Sequence, residues 1–533
     1  MTRVGSVELI ILLLLVCVTI FGVLARKLDR PYPIIMVLGG LLLSFLPGIP
    51  SVALNPDLIF LVALPPLLYS SAWATSWRDF RNNLVSILIM AFGLVGFTVL
   101  SVALLAPKVF DGFDWRLGLL LGAIVAPTDA IAATTIARRF GLPARTVDIL
   151  EGESLINDAS GLLALQFALA ILVEQKVPTF SSGLLSLTWL VVGGGALGLL
   201  CGWIVDRIER RIDDGPIETT LSILVPYMSY LAAGAIHASG VLAVVVCGLF
   251  LARRSATFFS PSVRLQNWSV WESLTFAVNG VIFVLIGLQL PAIRSSLHGY
   301  SLRTVLLEGG LFSALLILLR LVWVFPSVWI GYFIRTKLLR QAYKLPPARQ
   351  IFAVGWMGMR GVVSLAAALA IPTVLADGSP FPGRNLILVL TFCVILVTLV
   401  LQGLTLPGLI RVLGLASKLD VHQQEEQEAR RIAIQAVISH LENVVPADQG
   451  GSKVHDDIVS HYRQRLARLQ TKNGSEGESA NHERFLRLSL EALRIERNTV
   501  IRLRNESQIN DEVLHRIERQ LDLMETRIGM AGE

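Results

Sequence analysis

Long apolar runs separated by short polar stretches fill the first 413 residues of the chain. A helix needs about 20 apolar residues to cross the hydrocarbon core of a bilayer. Thirteen runs are candidates, the ninth of them short, and they lie at roughly 7–25, 33–48, 57–74, 84–106, 117–137, 147–172, 183–205, 217–236, 240–252, 270–291, 304–333, 350–376 and 385–412. The pattern predicts an all-α polytopic membrane protein with about 13 transmembrane helices.

Basic residues in the connecting loops follow an alternating pattern. Loops after odd-numbered runs, including the start of the tail, carry 21 lysines and arginines, whereas loops after even-numbered runs carry 6. A miscounted span would scramble this alternation, and the positive-inside rule places the richer loops in the cytoplasm. We therefore predict a multi-pass cell-membrane protein with its N-terminus outside and residues 414–533 in the cytoplasm.

Composition removes most soluble classes from consideration. Of the 533 residues, 53% are hydrophobic and 16% are charged, whereas a soluble chain is about one quarter charged. The net charge of +6 is not a nucleic-acid signal, because residues 1–413 hold 29 basic and 20 acidic side chains while residues 414–533 hold 17 and 20. All four cysteines lie in apolar runs without a CxxC pair, so we predict neither a disulfide nor a metal or cofactor site for them.

Residues 414–533 form a second, charged region that we predict to be a helical cytoplasmic tail. Its helix-prone runs lie at 424–445, 455–472, 482–505 and 508–528. Six of the eight histidines fall there, namely His422, His440, His455, His461, His482 and His515. Histidine titrates near neutrality, which is compatible with a pH-sensing regulatory domain. Solvated helix faces are the more ordinary interpretation of such charged runs, and we favour it.

Few charges are left inside the predicted spans. The deepest are Asp129, Glu153, Asp158, Arg320 and Arg360. A charged side chain near the middle of a bilayer costs several kcal/mol, so it normally pairs, faces a cavity or titrates. A fully paired structural ion network is one alternative, but intramembrane ionisable residues more often mark a functional site.

The fifth run, GLLLGAIVAPTDAIAATTIA, contains a helix-breaking proline. Pro127 lacks a backbone donor and clashes with the preceding turn, so we expect a break near 123–127. Irregular backbone at this depth is tolerated only where it lines protein or water. Thr128 is expected to cap the second half-helix, with Asp129 in its first turn. An ordinary proline kink with Asp129 as a simple cap is the competing interpretation.

The sixth run places two polar stripes side by side on one helix. Glu153 and Asn157 are four residues apart, as are Ser154 and Asp158. A carboxylate and a hydroxyl are hard oxygen ligands that suit small cations. A single carboxylate that binds either a proton or a cation, but never both, is a minimal exchange device. Glu153 is the better partner for an arginine, which leaves Asp158 free for this role.

The twelfth run is also interrupted near its middle. Gly355, Gly358 and Gly361 flank Arg360 and weaken the helix there. Paired broken helices in corresponding places indicate inverted repeats around a site at the membrane midplane. Close helix packing is the alternative interpretation of Gly355 and Gly358.

These motifs resemble those of the NhaP/NHE-type monovalent cation:proton antiporters, bacterial form. The segment LGAIVAPTDAIAATTIARRFGLPARTVDILEGESLINDASGLL carries the resemblance, together with GMRG at 358–361, which is similar to the family's GLRG motif, and PPLLYSSAWATSWRDFR at 65–81. The resemblance covers residues 7 to about 413. It implies thirteen spans with inverted repeats, crossed unwound helices and a homodimer.

The resemblance also implies roles for individual residues. Asp158 would bind Na⁺ or a proton, with Li⁺ or K⁺ as other possible cations, and Asp129, Ser154 and the Thr128 carbonyl would assist. Asn157 is a further candidate for binding the ion or the proton. Glu153 would pair with Arg320, the arginine in LLRLVW. The ND pair at 157–158, in place of two aspartates, resembles the electroneutral branch, which exchanges one cation per proton.

Two departures from the family pattern are present. Ser70 follows PPLLY where some members carry a glutamate that reaches the ion, and the fifth-run motif ends TDA instead of TDP. A K⁺/H⁺ antiporter and a passive cation channel remain alternative functions. A channel usually has a continuous pore built by oligomer symmetry, so acids on neighbouring helices with two broken helices favour alternating access. The chain is expected to be a transporter and not an enzyme.

Overall fold

Helices account for nearly all of the regular structure, as the apolar periodicity predicts. The computed structural model describes residues 3–46, 56, 59–110, 112–173, 180–295, 302–375, 379–415, 420–443, 455–463, 466, 476–506, 517 and 520–525. Within these residues the only β-type pairing is an isolated bridge between Val374 and Pro380. The chain divides into two compact units, residues 1–417 and 418–533.

The helices of the first unit are as follows, in chain order: α1 Arg3–Lys27, α2 Tyr32–Leu43, α3 Leu64–Ala74, α4 Trp77–Leu88, α5 Val95–Val109, α6 Trp115–Val125, α7 Ile131–Arg139, α8 Ala144–Val173, α9 Phe180–Glu209, α10 Gly215–Ala235, α11 Gly240–Phe258, α12 Pro261–Leu288, α13 Leu290–Ser295, α14 Leu302–Phe333, α15 Ala348–Trp356, α16 Val362–Leu369, α17 Arg384–Val397 and α18 Gly403–Val412. Short π-helical segments extend or join several of them, at Ile59–Ala63, Ile89–Leu94, Ile334–Leu338 and Thr398–Gln402.

Membrane-crossing length is met by seven continuous helices in the described part of the chain. Three shorter apolar helices, Tyr32–Leu43, Ile59–Ala74 and Trp115–Val125, accompany them. The all-helical membrane fold is therefore confirmed, whereas the count of thirteen spans and the internal repeat stay predictions. The ends of three predicted runs, at 47–48, 57–58 and 376, lie outside the described residues.

Both predicted helix interruptions are present. The fifth run is divided into α6 and α7 by non-helical residues 126–130, slightly later than the expected 123–127. The twelfth run is divided into α15 and α16, with residues 357–361 between them. Each break leaves terminal carbonyl and amide groups without intrahelical partners, and these groups need other partners in a protein interior.

Helix α8 is the element on which the breaks converge. It packs against α4, α6, α7 and the π-helical segment before α5. Close approach is possible where small residues face a neighbour: a Cβ on Gly161 would overlap the ring of Pro127, which lies in the first break. The contact brings the polar stripes of α8 directly against residues 126–130.

The second unit contains α19, Asp420–Asn443, and α20, Glu476–Asn505. These helices carry ion pairs at their surface, including Arg431 with Glu428 and Arg497 with Asp522. The Arg431 guanidinium beside Glu428 lowers the pKa of that carboxyl. Much of the predicted runs 455–472 and 508–528, including His515, lies outside the described residues.

Candidate ion-binding site

The two interrupted helices touch each other at their breaks. The Asp129 amide donates a hydrogen bond to the Met359 carbonyl across the contact, with an N–O distance of 2.8 Å. One backbone group from each break is thereby satisfied. The two unwound segments are therefore joined through main chain, in the manner of crossed broken helices.

Arg360 supplies the charge at this crossing. Its buried guanidinium donates from Nη1 to the Ala126 carbonyl and, at 3.1 Å, to the Pro127 carbonyl. These carbonyls follow the last turn of α6, where the helix dipole is negative, so a cation is favoured there. The Arg360 amide donates to the Thr398 hydroxyl at 3.0 Å, which holds the second break from the other side. Arg360 thus replaces hydrogen bonds that the first break removes.

Asp129 lies at the opposite end of the first break. Its Oδ1 accepts a hydrogen bond from the Ile131 amide at 2.8 Å, at the start of α7. The prediction that Thr128 caps α7 is wrong: the residue before this helix is Ala130, without a side-chain cap. Asp129 provides the cap instead, because the helix begins later than the sequence pattern indicated.

Thr128 belongs to a buried polar chain on the first stripe of α8. Its hydroxyl donates to Glu153 Oε1 at 3.1 Å and accepts from Asn157 Nδ2 at 2.6 Å. The Glu153 carboxylate also accepts from both Arg320 Nη1, at 2.5 Å, and Arg320 Nη2, at 3.0 Å. All four side chains are buried. The negative charge of Glu153 is therefore neutralised by Arg320 and is not available to bind a cation.

Ser154 and Asp158 form the second stripe and face a cavity. Ser154 accepts a hydrogen bond from the Ala130 amide at 3.3 Å, and its side chain, like that of Asp158, is only partly buried. Within the described part of the chain, no hydrogen bond or ion pair reaches the Asp158 carboxylate. Asp158 therefore differs from Glu153, although both acids lie on the same helix.

The cavity has a volume of about 690 Å³ and is lined by Thr128, Asp129, Ser154 and Asp158. Its wall continues past Ser70 and the aromatic side chains of Trp73 and Trp268, to Arg264. The Ser70 hydroxyl donates to the Leu67 carbonyl at 2.9 Å. Within the described residues, no three His, Cys, Asp or Glu side chains gather as in a transition-metal site. Two carboxylates with hydroxyl and carbonyl oxygens suit a hard monovalent cation instead.

Two features of the site were not found by sequence reasoning. The sequence pattern predicts that Gly361 weakens a helix, whereas the structure shows a second reason for glycine: a Cβ at this position would collide with the Asp129 carboxylate. Thr398, one of three threonines in the thirteenth run, accepts a hydrogen bond from the Arg360 amide, and the sequence pattern does not single it out. A hydroxyl in an apolar run is a weak signal, because a threonine that bonds its own helix backbone, as Thr405 does, gives the same pattern.

Comparison with known families now decides the identity of the fold. The family model described as "Sodium/hydrogen exchanger, transmembrane" matches residues 11–412. The chain belongs to the sodium/hydrogen exchanger family. Its transport class is thereby a Na⁺/H⁺, or monovalent cation/proton, antiporter, carried by a multi-pass membrane protein.

Similarity to known proteins covers most of this chain. An uncharacterized Na(+)/H(+) exchanger of Mycobacterium bovis is 33% identical over 98% of this chain and 96% of its own length. A sodium, potassium, lithium and rubidium/H(+) antiporter of Bacillus pumilus is 30% identical over 93% of this chain and 74% of its own. The solved structure of the sodium proton antiporter MjNhaP1 from Methanocaldococcus jannaschii at pH 8 matches with a TM-score of 0.60 and 22% identity. That match covers 78% of this chain and all of the other. The likeness to MjNhaP1 shows the shared fold.

Proposed function

We propose that this exchanger moves Na⁺ in one direction and H⁺ in the other through alternate binding at Asp158. The supporting observation is the contrast between two acids on α8. Glu153 is buried in a bidentate pair with Arg320, whereas Asp158 faces the cavity without a protein partner in the described residues. A carboxylate of this kind can hold a proton or a cation, and binding of one excludes the other.

The remaining ligands are proposed from the same cavity wall. Asp129, the Ser154 hydroxyl and the Thr128 carbonyl would complete the oxygen shell of the Na⁺ held by Asp158. Asp129 is held in place for this role, because the Ile131 amide at the start of α7 donates to its Oδ1. Asn157 would position Thr128 through the hydrogen bond to its hydroxyl.

The charge balance supports an electroneutral exchange of one cation per proton. Glu153 and Arg320 neutralise each other, and Arg360 is held by carbonyls of the first break. In the proposed cycle, Asp158 is then the acid that exchanges a bound proton for a bound Na⁺. A Na⁺ ion and a proton carry the same charge, so the loaded site has the same net charge in both states.

Alternating access is the proposed route across the membrane. The cavity wall runs from Asp158 to Arg264 and Trp268, which adjoin a basic loop. The positive-inside rule assigns such loops to the cytoplasm, so the described conformation would expose the site to the cytoplasm. This orientation also gives an N-terminus outside and a cytoplasmic tail over residues 414–533.

Further parts of the proposal rest on family membership and composition. The exchanger would act in the cell membrane as a homodimer and contribute to pH and sodium homeostasis. The tail would be a solvated helical region, and deletion of residues 424–533 is expected to leave the pH profile of exchange unchanged. A shifted profile in that variant would favour the pH-sensing alternative.

A proteoliposome assay tests the central claim. We would load vesicles with a pH-sensitive dye, impose a pH gradient and measure its dissipation by Na⁺, Li⁺ or K⁺ between pH 6 and 9. Wild-type protein is expected to respond to Na⁺, and Asp158→Asn is expected to abolish the response while it elutes as a folded protein. Retained exchange in Asp158→Asn would refute the mechanism.

Controls separate an antiporter from a passive channel. Asp213→Asn removes an exposed loop carboxylate and is expected to leave exchange unchanged. With the membrane potential clamped at different values, an electroneutral exchanger keeps the same rate. A rate that follows the potential, or cation flux without proton movement, would identify the channel alternative.

A further inference from the structure

A second cavity, which shares Thr135, Glu272 and Thr275 with the wall of the ion cavity but has a basic lining of its own, lies where five elements meet. It has a volume of about 830 Å³ and is bounded by the end of α1, the start of α2, and parts of α7, α12 and α18. Its charged lining consists of Arg26, Asp29, Arg30, Arg139, Glu272 and Arg411. The volume falls within the range of about 300–1,000 Å³ that small-molecule sites usually show. We call it the arginine cavity.

One of the four arginines is already neutralised. The Arg139 guanidinium forms an ion pair with the Asp29 carboxylate and donates from Nη1 to the Asp29 carbonyl at 3.0 Å. This contact joins the end of α7 to the turn between α1 and α2. Asp29 adopts the left-handed conformation, with φ of 57°, and so presents both oxygen groups to Arg139.

The other three arginines lack such a partner. No ion pair reaches Arg26, Arg30 or Arg411 in the part of the chain that the structure describes. Arg411 is stacked on the ring of Phe140, with its Cζ 5.2 Å from the ring centroid, which orients the guanidinium. Glu272 is the one remaining acid in the lining, so the arginine cavity has an excess of positive charge.

The backbone at the start of α2 also favours an anion in the arginine cavity. The helix begins at Tyr32 after Pro31, and no side chain caps it. An uncapped N-terminus carries a partial positive charge and favours an anion. The guanidinium forks of the three arginines match the geometry of phosphate oxygens. Phosphate is therefore the group that this lining fits.

Apolar surface beside the arginines indicates where the phosphate comes from. Leu28 lines the arginine cavity and is 52% exposed, and Leu24, one turn earlier on α1, is 40% exposed. Exposed leucines near the end of a membrane helix are suited to contact acyl chains. A phospholipid would place its headgroup among the arginines and its chains along α1.

We propose that the arginine cavity binds a phosphate-bearing anion, with an anionic phospholipid headgroup favoured over free phosphate. The bound phosphate would bridge the α1–α2 turn, through Arg26 and Arg30, to α18, through Arg411. Arg139 lies in the same wall at one end of α7, and Asp129 caps the other end. The proposal concerns binding and does not depend on the exchange mechanism.

A thermal-stability titration of the full-length protein in non-ionic detergent tests this inference. The unfolding temperature is measured with added phosphatidylglycerol, phosphatidylcholine or inorganic phosphate at matched ionic strength. Native mass spectrometry counts the lipids that remain bound. Phosphatidylglycerol is expected to raise the unfolding temperature and to be retained, whereas phosphatidylcholine is not. Inorganic phosphate that works equally well would keep the phosphate site and assign free phosphate as its ligand.

The decisive comparison uses two variants with the same loss of charge. Arg26→Gln/Arg30→Gln/Arg411→Gln removes the unpaired arginines of the cavity and is expected to weaken the apparent affinity about tenfold or more, because it removes the guanidinium groups that would bind the phosphate oxygens. Arg78→Gln/Arg81→Gln/Arg253→Gln removes three exposed arginines from helices α4 and α11, which do not line the arginine cavity. This control is expected to bind as the wild type does.

Several results would overturn the inference. Equal losses in the two triple variants would show a general surface-charge effect, and an unchanged affinity in the cavity variant would show that these arginines do not bind phosphate. Equal stabilisation by phosphatidylglycerol and phosphatidylcholine would also refute it. If the triple variant fails to elute as a folded protein, Arg411→Gln alone is expected to weaken binding, and an unchanged affinity there refutes the proposal.

Discussion

Arg320 and Glu153 form a bidentate ion pair whose side chains are only 2% and 1% exposed. The pair joins α14 to α8, and Glu153 extends it through Thr128 into the first helix break. Asp158, which faces the cavity from the same helix, therefore lies near a carboxylate, Glu153, whose charge Arg320 already neutralises. This arrangement leads directly to a prediction about stability.

Removing both partners of this pair should cost less than the two single losses added together. Glu153→Gln leaves a buried guanidinium unpaired, and we expect a loss of about 3–5 kcal/mol in the free energy of unfolding. Glu153→Gln/Arg320→Gln should lose less than the sum of the single variants. Equilibrium unfolding in mixed micelles measures both values.

An exposed pair provides the control for that measurement. Arg138 Nη2 lies 2.7 Å from Glu151 Oε1, but the arginine side chain is 60% exposed. Glu151→Gln is expected to cost no more than about 1 kcal/mol, because solvent screens exposed ion pairs. Additive losses at Glu153 and Arg320 would contradict the inferred coupling.

Gly361→Ala should weaken cation binding by displacing Asp129. A Cβ at this position collides with the Asp129 carboxylate, and the second break cannot move freely because Met359 and Arg360 are both hydrogen-bonded. Overpacking of this kind costs about 1–3 kcal/mol. We expect the Na⁺ concentration at half-maximal exchange to rise about tenfold.

Gly195→Ala is the matched control. Apart from its own turn of helix α9, no atom of the described residues lies within 4 Å of a Cβ built there. Alanine in a helix is favoured over glycine by about 1 kcal/mol, so stability should be equal or slightly higher and exchange unchanged. Equal exchange kinetics in the two variants would argue against a role for Asp129.

Arg360 substitutions should separate charge from geometry. Arg360→Lys keeps a positive charge but cannot reproduce the planar guanidinium that reaches two carbonyls. Arg360→Gln loses the charge as well. We expect exchange to fall in both, more in the glutamine variant, because each unpaired buried carbonyl costs about 1–3 kcal/mol. If Arg360→Gln were as stable as the wild type, the carbonyls of the first break would have hydrogen-bond donors other than Arg360.

Tyr343 should stabilise the fold through two arginines. The Cζ atoms of Arg145 and Arg335 lie 4.5 Å and 4.6 Å from the centroid of its ring. Cation–π contacts contribute about 0.5–2 kcal/mol each. Tyr343→Leu should therefore lower the free energy of unfolding by about 1–3 kcal/mol, whereas Tyr343→Phe keeps the ring and should resemble the wild type. Equal losses in both variants would assign the effect to the phenol hydroxyl.

The sequence by itself determined the membrane fold class and the two breaks. Apolar runs of spanning length leave no alternative to helices, since backbone polar groups must be satisfied within each segment. Pro127 and the glycines around Arg360 predict interruptions because they act on their own turn of helix. The spacing of residues 153, 154, 157 and 158 likewise defines two faces of a single helix.

Only the tertiary structure decided what each polar group contacts. The hydrogen bond from the Asp129 amide to the Met359 carbonyl and the one from Arg360 to the Pro127 carbonyl join residues more than 200 positions apart. The beginning of α7 at Ile131 likewise became clear only in the structure. The arginine cavity also requires five separate elements to meet. Such contacts depend on how the helices cross, and the apolar period of a helix specifies which face is buried but not which neighbour covers it.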